Sequence, residues 1–335
     1  MRLALLIAPQ RSTMYGNLAH TLALPELLAS PLGPRLRAWE RRELGGQDWL
    51  LIDLDDDIPA AHLDLLWLLG TVAGVYEYYD DLGDVHGPLL RPVASQKRAF
   101  VPPQMIESRR YRGKTNELFT TVLLNLAIFA GDYTDQATGH LRILDPLAGG
   151  GTTLFVALVR GYDAVGIERE KDDFDTTNAY VQQFFQEMKV PSKRMEERVR
   201  GSGRRALFSV GDKSDPRLLG LAHGDAYNAP DLLNGLPGGA RFHAIVADLP
   251  YGIQHQGQVV RFLEEGLPRW ASILLPGGTI VLAWEAGAPR RPKAIELAER
   301  HPTLTVVTAS PYDALEHRVD RQIKRRDVLV IRKEG

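Results

Sequence analysis

The sequence predicts an α/β protein in which a doubly wound, mostly parallel sheet of seven strands follows a small α+β domain. Three observations carry this. From residue 141 onward, short apolar runs alternate with helical segments, the pattern of a parallel sheet covered by helices. The first of those runs leads straight into three glycines, 149–151, and then into an apolar helix, as at the carboxyl edge of an open α/β sheet. Residues 1–80 read as strand, helix, strand, strand, helix, strand, which is the ferredoxin-like arrangement.

The elements follow in order. Residues 3–8 are a short apolar run. Residues 17–29 carry Leu18, Leu22, Leu27 and Leu28, largely at helical spacing. Residues 36–44 are mixed, and 48–54 (DWLLIDL) form a clearer strand. Residues 58–69 read as a helix, with Pro59 near its start and Gly70 just past its end. Residues 71–79 are rich in β-branched and aromatic side chains, hence a strand. Residues 81–108 read as a linker, because Pro88, Pro92, Pro102 and Pro103 resist both helix and sheet. Residues 117–129 form a strongly apolar helix. Strands are expected at 142–145, 164–168, 219–223, 243–247 and 279–284, with a closing pair at 303–309 and 328–332. Seven strands ending in such a pair suggest the methyltransferase version of the doubly wound fold. The division expected is a ferredoxin-like domain over 1–80, a Pro-rich linker over 81–108 and a Rossmann-like methyltransferase domain over 109–335.

Composition narrows the function. The 335 residues are 44% apolar and 24% charged, ordinary for a globular chain and unlike a disordered or collagen-like one. Forty basic against 42 acidic residues give a net charge of −2, which excludes a uniformly basic nucleic-acid coat but not local patches. With no cysteine, disulfides, zinc fingers, iron–sulfur clusters and a Cys nucleophile are excluded. No His, Asp or Glu cluster has metal-site spacing, so no metal is expected. No run approaches the length of a membrane span, and the N-terminus lacks a secretory cleavage site. The expected location is cytoplasmic, without a membrane partner.

The segment Asp145-Pro146-Leu147-Ala148-Gly149-Gly150-Gly151 is the most informative. Glycines let the backbone turn sharply and allow a ligand close to it. The next strand ends in Glu168, placed to accept ribose hydroxyls. A dinucleotide would need G-x-G-x-x-G and pyrophosphate at the helix N-terminus. Asp145 would repel pyrophosphate but suits the cationic methionine end of S-adenosyl-L-methionine. Asp145, Pro146, Ala148, Gly149, Gly151 and Glu168 are therefore candidate cofactor contacts. A tight glycine turn without a ligand is the alternative, weakened by the carboxylates on either side.

A second strand-to-loop transition, Asp248-Leu249-Pro250-Tyr251, matches the D/N-P-P-Y/F type with Leu249 in place of the first proline. The lone pair of an exocyclic amine is delocalised into its base and is a poor nucleophile. Asp248 and the Leu249 carbonyl are suited to accept the amino hydrogens, and Tyr251 to stack on the base. Most of the catalytic gain expected from Asp248, Leu249, Pro250 and Tyr251 is orientation.

With these residues in view, the chain resembles the THUMP-associated RNA methylases, in particular the tRNA guanosine-10 N2-methyltransferases. Four segments carry the resemblance. Arg110-Tyr111-Arg112-Gly113-Lys114-Thr115-Asn116-Glu117 resembles a Y-x-G-x-T-S-M segment that approaches the cofactor, with Asn116-Glu117 in place of Ser-Met, which adds Thr115. DPLAGGG (145–151) resembles D-P-F-C-G-T-G. Gly224-Asp225-Ala226 resembles the G-D-A that meets adenine, with Asp212 as a rival acid. DLPYGIQ (248–254) resembles D-P-P-Y-G-I-R. Residues 81–108 are too few for a THUMP domain, and none is evident. The resemblance implies S-adenosylmethionine, a Rossmann-like catalytic domain and a guanine amino group in RNA, most often tRNA, as acceptor.

Basic residues cluster at 109–114, at 189–205 and at 317–326. Phosphate contacts add up, so groups on one rim suit RNA. Arg110, Arg112, Lys114, Arg318 and Arg321 are the candidate substrate contacts. The middle group, interleaved with Glu196 and Glu197, reads equally as a solvated face. No activator subunit is indicated. The alternatives are a DNA amino-methyltransferase acting on adenine N6 or cytosine N4, which would need a target-recognition region, and a non-catalytic RNA- or S-adenosylmethionine-binding module, against which the intact DLPY argues.

Overall fold

A computed structural model describes residues 1–9, 18–95, 98–109, 111, 114–199, 203–250, 256–319 and 325–335. The chain divides into two compact units, Met1–Arg98 with Thr308–Arg326, and Ala99–Val307 with Asp327–Gly335.

The first unit contains β1 (Arg2–Ile7), α1 (Leu18–Ala29), β2 (Leu36–Leu44), β3 (Gln47–Leu54), α2 (Ala60–Leu63), β4 (Val72–Leu82) and β5 (Val85–Pro92). The strand order is β2-β3-β1-β4-β5, antiparallel throughout. The first four strands thus have the ferredoxin-like order. Period-two alternation sets the two faces. Leu3 and Leu5 stand opposite Ile52 and Leu50 on one face. Ala4, Trp49, Leu51 and Tyr78 form a separate buried cluster on the other.

Two sequence readings change here. The helix expected over 58–69 is a single α-turn, α2, followed by a 3-10 segment, Asp64–Leu68. Residues 85–92, read as linker, are β5, paired with β4. Pro88 and Pro92 are tolerated because β5 is an edge strand, where a missing N–H leaves no ladder bond unmade. The unit also takes in 308–326, which the sequence reading left with the second domain. That segment holds the two-residue strand β14 (His317–Arg318), which packs on α1. So short a strand has no periodicity to read.

The second unit runs through α3 (Gln104–Glu107), α4 (Glu117–Phe129), β6 (Arg142–Asp145), α5 (Thr152–Val159), β7 (Asp163–Glu168), α6 (Lys171–Glu187), β8 (Ser192–Val199), β9 (Gly203–Val210) and β10 (Arg217–His223). It continues with α7 (Ala229–Leu233), β11 (Phe242–Asp248), α8 (Gln256–Arg261), α9 (Leu267–Ser272), β12 (Leu274–Glu285), α10 (Arg291–Glu299), β13 (Leu304–Val306) and most of β15 (Arg325–Lys333). The order is β13-β15-β12-β11-β6-β7-β10-β9-β8. Adjacent pairs from β12 to β10 are parallel, while β13 runs antiparallel to β15. The seven expected strands sit side by side in the doubly wound order.

The hairpin β8–β9 extends this sheet beyond β10 and was not foreseen. Its first strand, SKRMEERV, is too charged to read as a strand. Charge is what an edge strand carries to avoid pairing with other chains. From β6 the chain proceeds to β7 on one side, while β11 lies on the other. The crevice at such a switch point, beyond the strands' carboxyl ends, is where this architecture binds ligands. No helix among the described residues is long and apolar enough to cross a membrane.

Candidate active site

Four neighbouring strands, β10, β7, β6 and β11, each deliver an acidic residue at or just beyond their carboxyl ends: Asp225, Glu168, Asp145 and Asp248. The glycine turn fills the space after β6. Gly149 and Gly151 have φ of 50° and 88°, the left-handed region that glycine enters at no steric cost. Gly150 is needed for a different reason. A Cβ there would lie 2.1 Å from the Tyr111 ring, so the tyrosine packs directly on the bare backbone. The Tyr111 hydroxyl is 2.7 Å from Thr152 Oγ1, at the start of α5.

Asp145 is buried, and its Oδ1 accepts from the Leu147 N–H at 2.9 Å. Burial pushes its carboxyl up to about 7, against the stabilising bonds from Thr153 and Leu147 and aided by the nearby charges of Asp248 and Glu168. Glu168 is also raised, chiefly by burial, although backbone N–H groups of Glu170, Gly149 and Arg169 favour its charged form. Its Oε1 accepts from Glu170 N at 2.6 Å. Asp225 caps a 3-10 turn by accepting from Tyr227 N at 2.9 Å.

Two cavities flank the turn and share Leu147 in their walls. One, about 190 Å³, is lined by Glu168, Asp225, Ala226, Tyr227 and Phe262. The Tyr227 and Phe262 rings stack there at 5.2 Å. The other, about 130 Å³, is lined by Tyr111, Thr115, Asp145, Gly149, Gly150 and Asp248. The structure therefore brings Asp145, Pro146, Ala148, Gly149, Glu168, Asp225 and Ala226 around one continuous rim, with Gly151 as the N-cap of α5. Asp212 lies elsewhere. It sits in the turn between β9 and β10, at the opposite end of β10 from Asp225, and is engaged with Ser214.

At the second motif, Asp248 ends β11, and the Leu249 N–H donates to Ala283 O on β12 at 2.8 Å. The Leu249 side chain is buried in the core beneath the site. Pro250 follows, half-buried. Thr115 donates from Oγ1 to Asp248 Oδ2 at 3.0 Å. Tyr251, Arg110, Arg112 and Arg321 lie outside the described residues.

The basic groups divide. Lys114 is half-buried, its ammonium held by Ile106 O at 2.8 Å and by Glu117. Arg318 is exposed on β14, in the first unit. Arg109 is buried instead of facing solvent. Its guanidinium stands 5.1 and 5.2 Å from the Tyr111 and Tyr180 ring centres and donates to Thr177 Oγ1. His317 and Arg326 are likewise buried. In the middle group Arg205 donates to the Leu232 and Asn234 carbonyls and pairs with Glu197, Arg204 pairs with Asp175, and Arg194 bonds Gln182. Those three arginines anchor the hairpin. Sequence reasoning missed Thr152, Thr153 and the cover supplied by Tyr111. The available signal was the middle glycine of GGG, which no turn requires.

This is a Rossmann-like, doubly wound fold. The assignment rests on the strand order and the crevice. No protein-family model matches the chain, and no curated protein matches it in sequence. Similar solved structures include TrmN from Thermus thermophilus, at 13% identity over 99% of each chain with a TM-score of 0.46. A methyltransferase homologue from Pyrococcus horikoshii is 11% identical, over 99% of this chain and 86% of that one, with a TM-score of 0.41. A putative RNA methyltransferase from the same organism is 16% identical, over 71% and 93%, also at 0.41.

Among the described residues, no group of three or more His, Asp or Glu side chains could hold a metal ion.

Proposed function

We propose that the protein is an S-adenosylmethionine-dependent methyltransferase that modifies an exocyclic amino group of a base in RNA, with guanine N2 of a tRNA as the target. The observation that carries this is the row of four carboxylates across adjacent strand ends, with Asp145 and Asp248 lining a single cavity beside the glycine turn. The donor set suits a cationic, adenosine-bearing ligand. Asp145 would face the charged methionine end, Glu168 the ribose hydroxyls and Asp225 the adenine edge. A pyrophosphate is disfavoured by the same carboxylates.

When bound, S-adenosylmethionine supplies a methyl group on a sulfonium, ready for displacement by a nucleophile. The protein's own part is orientation. Asp248 accepts a hydrogen of the amine and the Leu249 carbonyl the other, which draws the nitrogen lone pair out of conjugation. The Leu249 backbone is fixed for this by its bond to β12 and its buried side chain. Tyr251, from its place in the motif, stacks on the base. The choice of RNA and of guanine N2 is supported by the sequence resemblance and by the exposed Arg318. Transfer of a tritiated methyl group to total tRNA, rRNA and duplex DNA tests the reading. Labelling of tRNA as N2-methylguanosine is expected. Labelling confined to DNA, or none at all, would overturn it.

A further inference from the structure

Thr115 lines the same cavity as Asp145, yet its hydroxyl is directed to the other acid. Thr115 Oγ1 donates to Asp248 Oδ2 at 3.0 Å, across 133 residues of sequence. Both partners are firmly mounted. Lys114 is tied to Ile106 O and Glu117. Asn116 is the N-cap of α4 and accepts from Phe119 N at 3.1 Å. Helix α4 packs on β11 and β12, and Thr279 of β12 donates to Ala127 O of α4 at 2.6 Å. On the acid's side, Asp248 is the last residue of β11 and Leu249 is bonded to β12. The residues on both sides of Thr115, and the strand that carries Asp248, thus belong to one rigid frame. A terminal carboxylate torsion is otherwise broad and soft. A fixed donor to one oxygen constrains the plane of the group.

The same segment reaches the glycine turn. Tyr111, four residues earlier, packs on Gly150 and bonds Thr152. One short stretch of chain therefore touches both the turn and the acid.

We propose that Thr115 is a positioning residue for Asp248, orienting its carboxylate toward the acceptor amine, and that it is not a cofactor ligand. This rests on the methyltransferase reading above. The test compares Thr115→Val, which keeps the branched shape and removes the donor, with Thr115→Ser, which keeps the donor. Affinity for S-adenosylhomocysteine is measured by calorimetry, steady-state kinetics use unfractionated tRNA, and a crystal structure of each variant reports the Asp248 carboxylate. For Thr115→Val we expect cofactor affinity within twofold of wild type, an unchanged KM for tRNA and a kcat lowered on the order of tenfold. The carboxylate should be rotated or disordered. Thr115→Ser should recover most of kcat and the original orientation. Weakened S-adenosylhomocysteine binding with normal kcat at saturating cofactor would make Thr115 a ligand and overturn the proposal. So would an unmoved Asp248 carboxylate in Thr115→Val. If the wild-type protein methylates no nucleic acid, the functional reading fails, while the crystal structures still decide whether Thr115 holds Asp248.

Discussion

Replacing Gly150 with alanine tests the packing of the glycine turn directly. The new Cβ would lie 2.1 to 2.4 Å from Cζ, Cε2 and Cε1 of Tyr111. Carbon atoms in contact sit about 3.5–4.0 Å apart, so the ring must retreat by about 1.5 Å. That movement breaks the 2.7 Å bond to Thr152 Oγ1 and disturbs the stacking of Arg109, 5.1 Å from the ring centre. Overpacking costs about 1–3 kcal/mol, the hydrogen bond about 1 kcal/mol, and the cation–π contact about 0.5–2 kcal/mol. With partial relaxation, a loss of about 3 kcal/mol follows, or on the order of 10 °C in midpoint for a unit of this size. Gly150 does not have a positive φ, so alanine itself carries no backbone penalty there. The cost should therefore vanish when the ring is absent. Tyr111→Ala is destabilising alone, but adding Gly150→Ala to it should cost nothing further. A double-mutant cycle by denaturant titration should give a coupling of about 2–3 kcal/mol. Additive losses, or a Gly150→Ala protein with wild-type stability, would refute the reasoning.

Three further outcomes are expected. Glu168→Ala should weaken S-adenosylmethionine binding about tenfold or more, since charge-assisted hydrogen bonds contribute about 1.5–3 kcal/mol; calorimetry showing unchanged affinity in a folded variant would remove Glu168 from the ribose site. Asp248→Ala should leave cofactor affinity nearly intact and lower turnover on the order of a hundredfold, and loss of cofactor binding instead would reverse the division of labour assigned to the two acids. Burial pushes the Asp145 carboxyl up to about 7 in the folded protein, against 3.8 for a free aspartate side chain, so the native state holds the extra proton between those values and wild-type stability falls as pH rises through that window. Asp145→Asn lacks this loss, and denaturation between pH 5 and pH 8 should show it gaining on wild type by about 2.5 kcal/mol, because roughly two of the three pKa units lie above pH 5; a pH-independent difference would contradict it.

Much of the catalytic unit was legible in one dimension because its strands are buried on both sides. Such strands read as continuous apolar runs, as at 244–247 and 280–284, and the glycines and carboxylates at the strand ends mark the crevice. The four motif segments carried the functional reading for the same reason: each is local. The first unit's strand order was legible from its sequence of strands and helices, which matches the ferredoxin-like arrangement. Strand β5 was not, because edge position decides whether proline is tolerated, and position in a sheet is not a property of the segment. Strand β8 was hidden in the same way by the charges that protect an edge.

The sequence by itself determined the fold class, the glycine turn and the four acids, because each follows from local periodicity or from residues adjacent in the chain. Only the tertiary structure placed Asp225 in the cavity beside the glycine turn and Asp212 at the other end of β10. It alone decided that Arg109 is buried among rings, that Tyr111 is the reason for Gly150, and that Thr115 bonds Asp248. These are contacts between segments from about 40 to more than 130 residues apart, and they form only when the sheet brings its strand ends into register.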